Sequence, residues 1–253
     1  ATQGAVAAGG GLARAYDFSL PNGSAGVGEL AITVTTDVYG YQYEYNAVGT
    51  AESNNAAGAN ATVTIAPYAD LQVQNLAVSP GSLLTGQTMH ITWDNANTGN
   101  LATNTNWYDR IVVVNSTTGT TVLNTTVYHT HATEGAVAAG ASLARNYDFT
   151  LPNGDAAVGE YVVTVTTDTY GQQYEYNAAD TAEANNSASS ASVSVTLSPY
   201  ADLRVQNLAV TSDLHSGDVV SISWEDANTG NAAALGSFHD YIRVFNNSTG
   251  QWL

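Results

Sequence analysis

An all-β fold of tandem antiparallel sandwiches is predicted by three observations. Apolar residues alternate with period two along the extended stretches, and helix patterning is nearly absent. The sequence repeats itself at an offset of 131 residues. Gly, Asn, Asp and Ser cluster between the alternating stretches, where turns need them.

The repeat sets the domain plan. Tyr16-Asp17-Phe18 returns as Tyr147-Asp148-Phe149, and Leu20-Pro21-Asn22-Gly23 returns as Leu151-Pro152-Asn153-Gly154. Of the first 60 positions, 41 are identical 131 residues later. Pro67-Tyr68-Ala69-Asp70-Leu71 recurs as Pro199-Tyr200-Ala201-Asp202-Leu203, at 132 because one residue is inserted. A deletion before Gly217 restores 131. Cutting at Pro-Tyr-Ala-Asp gives the C-terminal half of a repeat (1–66), one whole repeat (67–198) and the N-terminal part of another (199–253). The chain opens on Ala1 in mid-repeat and carries no signal-peptide pattern. Half a sandwich exposes an apolar face and unpaired edges. Three explanations compete: a window from a longer array, partial units that complement each other within one chain or head to tail between chains, or frayed ends.

Seven strands are expected in the whole repeat. Asp70–Val78 is extended, and Thr88–Asp94 sets Met89, Ile91 and Trp93 on one face. Tyr108–Asn115 carries the β-branched run Ile111-Val112-Val113-Val114, and Gly119–Tyr128 alternates weakly through many threonines. Leu143–Leu151 aligns Tyr147, Phe149 and Leu151; Gly159–Asp168 aligns Tyr161, Val163 and Val165; Ala191–Leu197 aligns Val193, Val195 and Leu197. The stretch Val137–Arg145, interrupted by Gly140, reads as a loop. Seven strands in one repeat point to a sandwich of immunoglobulin type.

The motifs carry a resemblance. Each repeat opens on Asp70-Leu71 or Asp202-Leu203, continues through Gly86-Gln87 to Trp93, and turns at Asn97-Thr98-Gly99. Trp107-Tyr108-Asp109-Arg110 follows, drifting to Phe238-His239-Asp240-Tyr241 in the third piece. Ala138-Ala139-Gly140, Leu151-Pro152-Asn153-Gly154, Gly159-Glu160-Tyr161, Thr167-Asp168, Tyr174-Glu175 and Glu183-Ala184-Asn185-Asn186 complete the series. Together they resemble the bacterial cell-adhesion-related domain, CARDB, over the whole chain. The resemblance implies immunoglobulin-like sandwiches repeated along a large extracellular or cell-surface protein, with no catalytic residues.

Composition excludes much chemistry. The net charge is −17, from 22 acidic residues against five arginines and no lysine. Without lysine there is no Walker-type phosphate loop and no Schiff-base site. Without cysteine there is no disulfide, thiolate metal site or thiol nucleophile. So negative a field repels nucleic acid and anionic membranes, and no apolar run is long enough to insert in a bilayer. No Gly-x-Ser-x-Gly elbow or His-Glu-x-x-His motif appears, so the chain is expected not to be an enzyme. The expected partners are neighbouring repeats and other copies joined head to tail.

The most chemical cluster is Asp168, Glu175, Glu183, Asn185 and Asn186, with its copy Asp37, Glu44, Glu52, Asn54 and Asn55. Two readings are open. These side chains cap their own turns, or they supply oxygens to Ca2+, which takes about 6–8 of them. The calcium reading names Asp37, Glu44, Glu52, Asn55, Asp168, Glu175, Glu183 and Asn186. His129 and His131, two apart and so on one side of a strand, are expected on a surface strand, with a metal pair the alternative that lacks a third ligand nearby, and Asp109 with Arg110 in a loop salt bridge or turn cap. Tyr39, Tyr41, Tyr43 and Tyr45 are expected half buried on a sandwich face, with stacking on a sugar or partner the alternative. Glycosylation sequons place candidates at Asn22, Asn60, Asn115, Asn124, Asn185, Asn246 and Asn247.

Overall fold

In the computed structural model, which describes residues 5–253, the strands run β1 (Gly28–Thr35), β2 (Ala56–Val63), β3 (Leu71–Ser79), β4 (Ser82–Leu84), β5 (Thr88–Asn97), β6 (Trp107–Asn115) and β7 (Thr120–His129). One helical turn, α1 (His131–Glu134), leads to β8 (Ser142–Thr150), β9 (Gly159–Thr166), β10 (Ser187–Ser189) and β11 (Val193–Thr196). The last strands are β12 (Leu203–Val210), β13 (Ile222–Asn228), β14 (Phe245–Asn246) and β15 (Gln251–Trp252).

Residues 67–198 form a complete two-sheet sandwich. One sheet is β3-β5-β8; the other is β4-β11-β9-β6-β7, with β10 also on β9. Neighbours pair antiparallel except β4 with β11. The chain switches sheets between β3 and β4. Two short strands, β4 and β10, add to the seven expected. The stretch expected as a loop divides: residues 137–141 are loop, but 142–145 already pair with β5. Its Gly140 ends the loop, and the alternation beginning at Leu143 wins thereafter.

The apolar alternation fixes the core. Met89, Ile91 and Trp93 of β5 meet Ile111 and Val113 of β6 and Tyr161, Val163 and Val165 of β9, all essentially inaccessible. A smaller cluster of Leu71, Trp107 and Val137 closes one end. Burying each such side chain contributes about 1.5–3 kcal/mol.

The inserted residue has a visible outcome. β1 pairs with β2 without interruption from Gly28↔Val63 to Thr35↔Ala56. In the whole repeat the pairing steps from Thr164↔Ser189 to Tyr161↔Val193. Ser190 sits at the step, its N–H donating to Val163 O at 2.8 Å and its Oγ accepting from Val163 N–H at 3.1 Å. The extra residue is thus absorbed as a bulge.

The flanking segments keep local pairing and lose the core. β1-β2, β12-β13 and β14-β15 are separate two-stranded sheets. Val34 is 68% exposed where Val165 is 0%. Val205 is 63% exposed where Val73 is 8%, and Ile242 is 52% exposed where Ile111 is 0%. No described helix is long and apolar enough to cross a membrane.

Candidate functional site

The acidic hairpin between β9 and β10 is wired mainly to its own backbone. Asp168 turns at φ 42° and accepts the Gln172 and Gln173 N–H groups at 2.8 and 2.9 Å. Glu183 accepts the Glu175 N–H at 2.8 Å. The exposed copy repeats these bonds: Asp37 (φ 43°) takes Tyr41 and Gln42 N–H at 2.8 and 2.9 Å, and Glu52 takes Glu44 N–H at 2.8 Å. In the whole repeat, Asp70 adds a cross-link, accepting Asn177 Nδ2 at 3.1 Å and Asn185 Nδ2 at 3.0 Å.

Glu175 stands apart. It is 2% exposed, and neither carboxyl oxygen has a hydrogen-bond partner. Burial, aided by the Asp168 and Glu183 carboxylates, pushes its pKa up to about 9. Burial likewise lifts Asp168 to about 6, against the pull of its two backbone N–H bonds. The Asn185 and Asn186 Oδ1 atoms are also buried and unpartnered. Among the described residues, no three His, Asp or Glu side chains are grouped to hold a metal ion.

A second polar cluster lies inside the sandwich, where the sequence had suggested surface or loop. Asp109 is fully buried in β6, not in a loop. It accepts Asn95 Nδ2 at 2.7 Å, Trp107 Nε1 at 3.1 Å and Trp93 Nε1 at 3.2 Å, and faces Arg145 Nε at 3.5 Å. Burial raises its pKa, with Asn95, Thr167, Arg145 and Trp93 opposing. Arg145 also binds Glu134 and donates to Tyr128 O at 2.9 Å. Burial works against the charge of Glu134, but the Thr130 N–H and Arg145 outweigh it and hold its pKa low. His129 is not a surface residue: it is 0% exposed and stacks on Trp107 with ring centroids 3.6 Å apart. Burial lowers its pKa. Arg110, by contrast, is exposed and donates to Asn124 Oδ1. The alternation of β6 forces this split, since Trp107, Asp109 and Ile111 face in and Arg110 faces out.

The repeat boundaries form a third site. Tyr68 Oη accepts the Gly23 N–H at 3.0 Å, and Tyr200 Oη accepts the Gly154 N–H at 3.0 Å. The Tyr68 ring packs edge-on against Tyr174 and Tyr176, centroids 5.3 and 5.6 Å away. A Cβ on Gly23 would lie 2.8 Å from Tyr174 Oη, so the Pro-Asn-Gly turn enters this cage only with glycine. At the other boundary Tyr200 Oη also contacts Thr85 Oγ1 at 2.6 Å, and Ser198 Oγ donates to Thr85 O at 2.6 Å. The Asn-Thr-Gly turn braces each connection: a Cβ on Gly99 or Gly230 would strike Tyr68 O or Tyr200 O at 2.4 or 2.3 Å. Sequence reasoning missed these tyrosines. The only signal was the joint recurrence of Pro-Tyr and Pro-Asn-Gly.

Tyr39, Tyr41, Tyr43 and Tyr45 are 77–87% exposed rather than half buried. The counterparts of Tyr43 and Tyr45, Tyr174 and Tyr176, are less exposed, Tyr174 at 43% and Tyr176 half buried, where Tyr68 and Gly23 lie against them, while Tyr170, the counterpart of Tyr39, stays 66% exposed. Of the sequons, Asn22, Asn60, Asn124 and Asn247 are exposed. Asn115 is 1% exposed with Nδ2 donating to Val158 O, which leaves no room for a glycan. Asn185 is engaged with Asp70, and Asn246 Oδ1 caps the Ser248 and Thr249 N–H groups.

No family model matches the chain, and no curated protein matches it. Solved structures do. A crystal structure of the CARDB domain of a Pyrococcus furiosus protein, in complex with di-metal ions, is 21% identical, with a TM-score of 0.38, covering 53% of this chain and 100% of that one. A solution NMR structure of the same domain is 20% identical, TM-score 0.37, with the same coverage. A β-glucosidase from Listeria innocua matches at 14% identity and TM-score 0.31, over 51% of this chain and 16% of that one.

Proposed function

We propose that the chain is a non-enzymatic structural segment of a large extracellular, adhesin-like or fibre-forming surface protein. In this reading it is built of tandem immunoglobulin-like repeats of 131 residues, and its partial units are completed head to tail by the complementary half of another repeat. One observation carries the proposal. The flanking segments expose residues whose counterparts are buried in the whole repeat, so each presents half of a known interface. The recurring Tyr–Gly bond at both boundaries supports a stiff, regularly spaced rod, and proline at each connection removes a donor and fixes φ. Light scattering on the purified chain tests it. Masses at multiples of 26.3 kDa that grow with concentration support it, and a strictly 26.3 kDa particle contradicts it.

A second reading, calcium-dependent adhesion or glycan binding, rests on the unpartnered Glu175 oxygens and the adjacent Asn185 and Asn186 Oδ1 atoms. Calcium should then raise the melting temperature, EDTA should reverse it, and Glu175→Gln should abolish the response. An unchanged melting temperature removes this reading.

A further inference from the structure

We infer that β7 of the whole repeat is a lateral docking edge, and that its occupant is β7 of a second copy, paired antiparallel about a twofold axis through Thr126. The inference concerns the complete unit alone and does not depend on how the partial units are completed.

An open sheet edge presents unpaired N–H and C=O groups, and sandwiches blunt such edges with short strands, bulges or charges. Most edges of this sandwich are blunted in one of these ways. β4 and β10 have three residues each. β3 is broken by a bulge between Gln74 and Ala77, where Asn75 turns at φ 52°. β8 points Arg145 inward and carries the exposed Asp148.

β7 is the exception. It runs ten residues and, among the described residues, pairs only with β6. No Asp, Glu, Lys or Arg occurs between Arg110 and Glu134, so the strand and the turn before it carry no gatekeeping charge. Its one bulge, at Val122, lies near its start and leaves residues 123–129 in unbroken register with β6. Leu123 and Val127 pack on the core yet stay only half buried, because nothing lies beyond them.

Charge selects the occupant. The chain carries −17, so two copies approaching elsewhere bring acid against acid, whereas along β7 they meet on a neutral seam. Antiparallel self-pairing sets residues of one face opposite each other, so the axis passes through a residue. Centring residues 123–129 puts it at Thr126. Asn124 then faces Tyr128 of the second copy, and Thr125 faces Val127. The outward row of Asn124, Thr126 and Tyr128 is exposed and neutral, and opposed threonines favour pairing. Arg110, across from Thr126, stands three strand spacings from its twofold mate, about 14 Å, beyond the screening length of about 10 Å at 0.1 M salt. One strand pair is small beside the roughly 1,200–2,000 Å2 of stable complexes, so the contact is transient and strengthens as salt screens the acidic surface.

The cysteine-free sequence permits a direct test in the full chain. Directly opposed strand residues have the separation a disulfide needs. On mild oxidation Thr126→Cys should form linked dimers several-fold faster than Thr118→Cys in the exposed β6–β7 turn, and the difference should widen with salt. Asn124→Cys and Tyr128→Cys should each link slowly alone and rapidly in an equimolar mixture. Thr126→Lys sets two ammonium groups face to face at the axis. It should abolish the salt-induced rise in cross-sectional radius seen by small-angle scattering, a quantity that end-to-end growth does not change. Fast linking at Thr126 in a chain that light scattering finds at 26.3 kDa would support this edge while removing the complementation. Equal rates at Thr126 and Thr118 would overturn the lateral pairing. Fast linking at Thr126 with no gain in the Asn124→Cys and Tyr128→Cys mixture would overturn the register.

Discussion

The acidic hairpin at Asp168 and its copy at Asp37 have the same hydrogen bonds and opposite environments. Asp168 is 3% exposed, whereas Asp37 is not buried, yet each accepts two backbone N–H groups at the same distances. Local turn chemistry is therefore self-sufficient. Burial comes with contacts from elsewhere in the whole repeat, where Thr169 N–H donates to Tyr108 O and Asp70 accepts from Asn177 and Asn185. The two regions teach that the turn is set by its own residues, whereas its burial is set by residues distant in sequence.

Paired substitutions break or sharpen this contrast. The largest effect is expected at Asp109→Ala, which leaves Arg145 in the interior without one of its two carboxylates. It should cost about 3–5 kcal/mol by denaturant melting, since removing one partner strands a buried charge. Asp240→Ala, its exposed counterpart, should stay within about 0.5 kcal/mol in dilute, unassembled chain. Ile111→Ala should cost about 2–5 kcal/mol through the cavity it leaves, against a small fraction of that for Ile242→Ala under the same conditions.

Glu175 predicts a pH dependence. Its folded pKa is raised from 4.5 to about 9, so its contribution is fully present below pH 4.5 and is lost as pH rises towards 9. Stability should fall as pH rises through that window, with Asp168, raised to about 6, adding to the fall at its acidic end. Glu175→Gln should remove the fall above about pH 6, leaving the acidic part due to Asp168, and Glu44→Gln should leave the profile unchanged. The smallest effect is expected at the joint: Tyr200→Phe removes hydrogen bonds to Gly154, Thr85 and Asn153 and should cost about 1 kcal/mol. Small-angle scattering should then show a wider spread of interdomain angles.

Much of the fold was legible in the sequence because period-two alternation and turn residues are local signals. Tyr161, Val163 and Val165 declared their face without reference to any neighbour. The inserted residue was legible as a change of offset, although only the structure shows it as the Ser190 bulge. What was hidden depends on contacts distant in sequence. Asp109 looked like a loop acid because nothing nearby announces Trp93 and Arg145 as its partners. His129 looked exposed because its burial comes from Trp107 on the adjacent strand. The tyrosine exposures were misjudged for the same reason: Tyr174 is 43% exposed and Tyr43 81%, and the difference comes with Tyr68, which packs against Tyr174 from more than 100 residues away.

Hydrogen exchange on the Leu30–Val34 amides, followed as the chain is concentrated, tests the central claim most directly. These residues lie on the open face of β1, paired only with β2. Complementation predicts fast exchange in dilute chain and protection approaching that of Tyr161–Val165 as assembly proceeds. Exchange rates independent of concentration would contradict it.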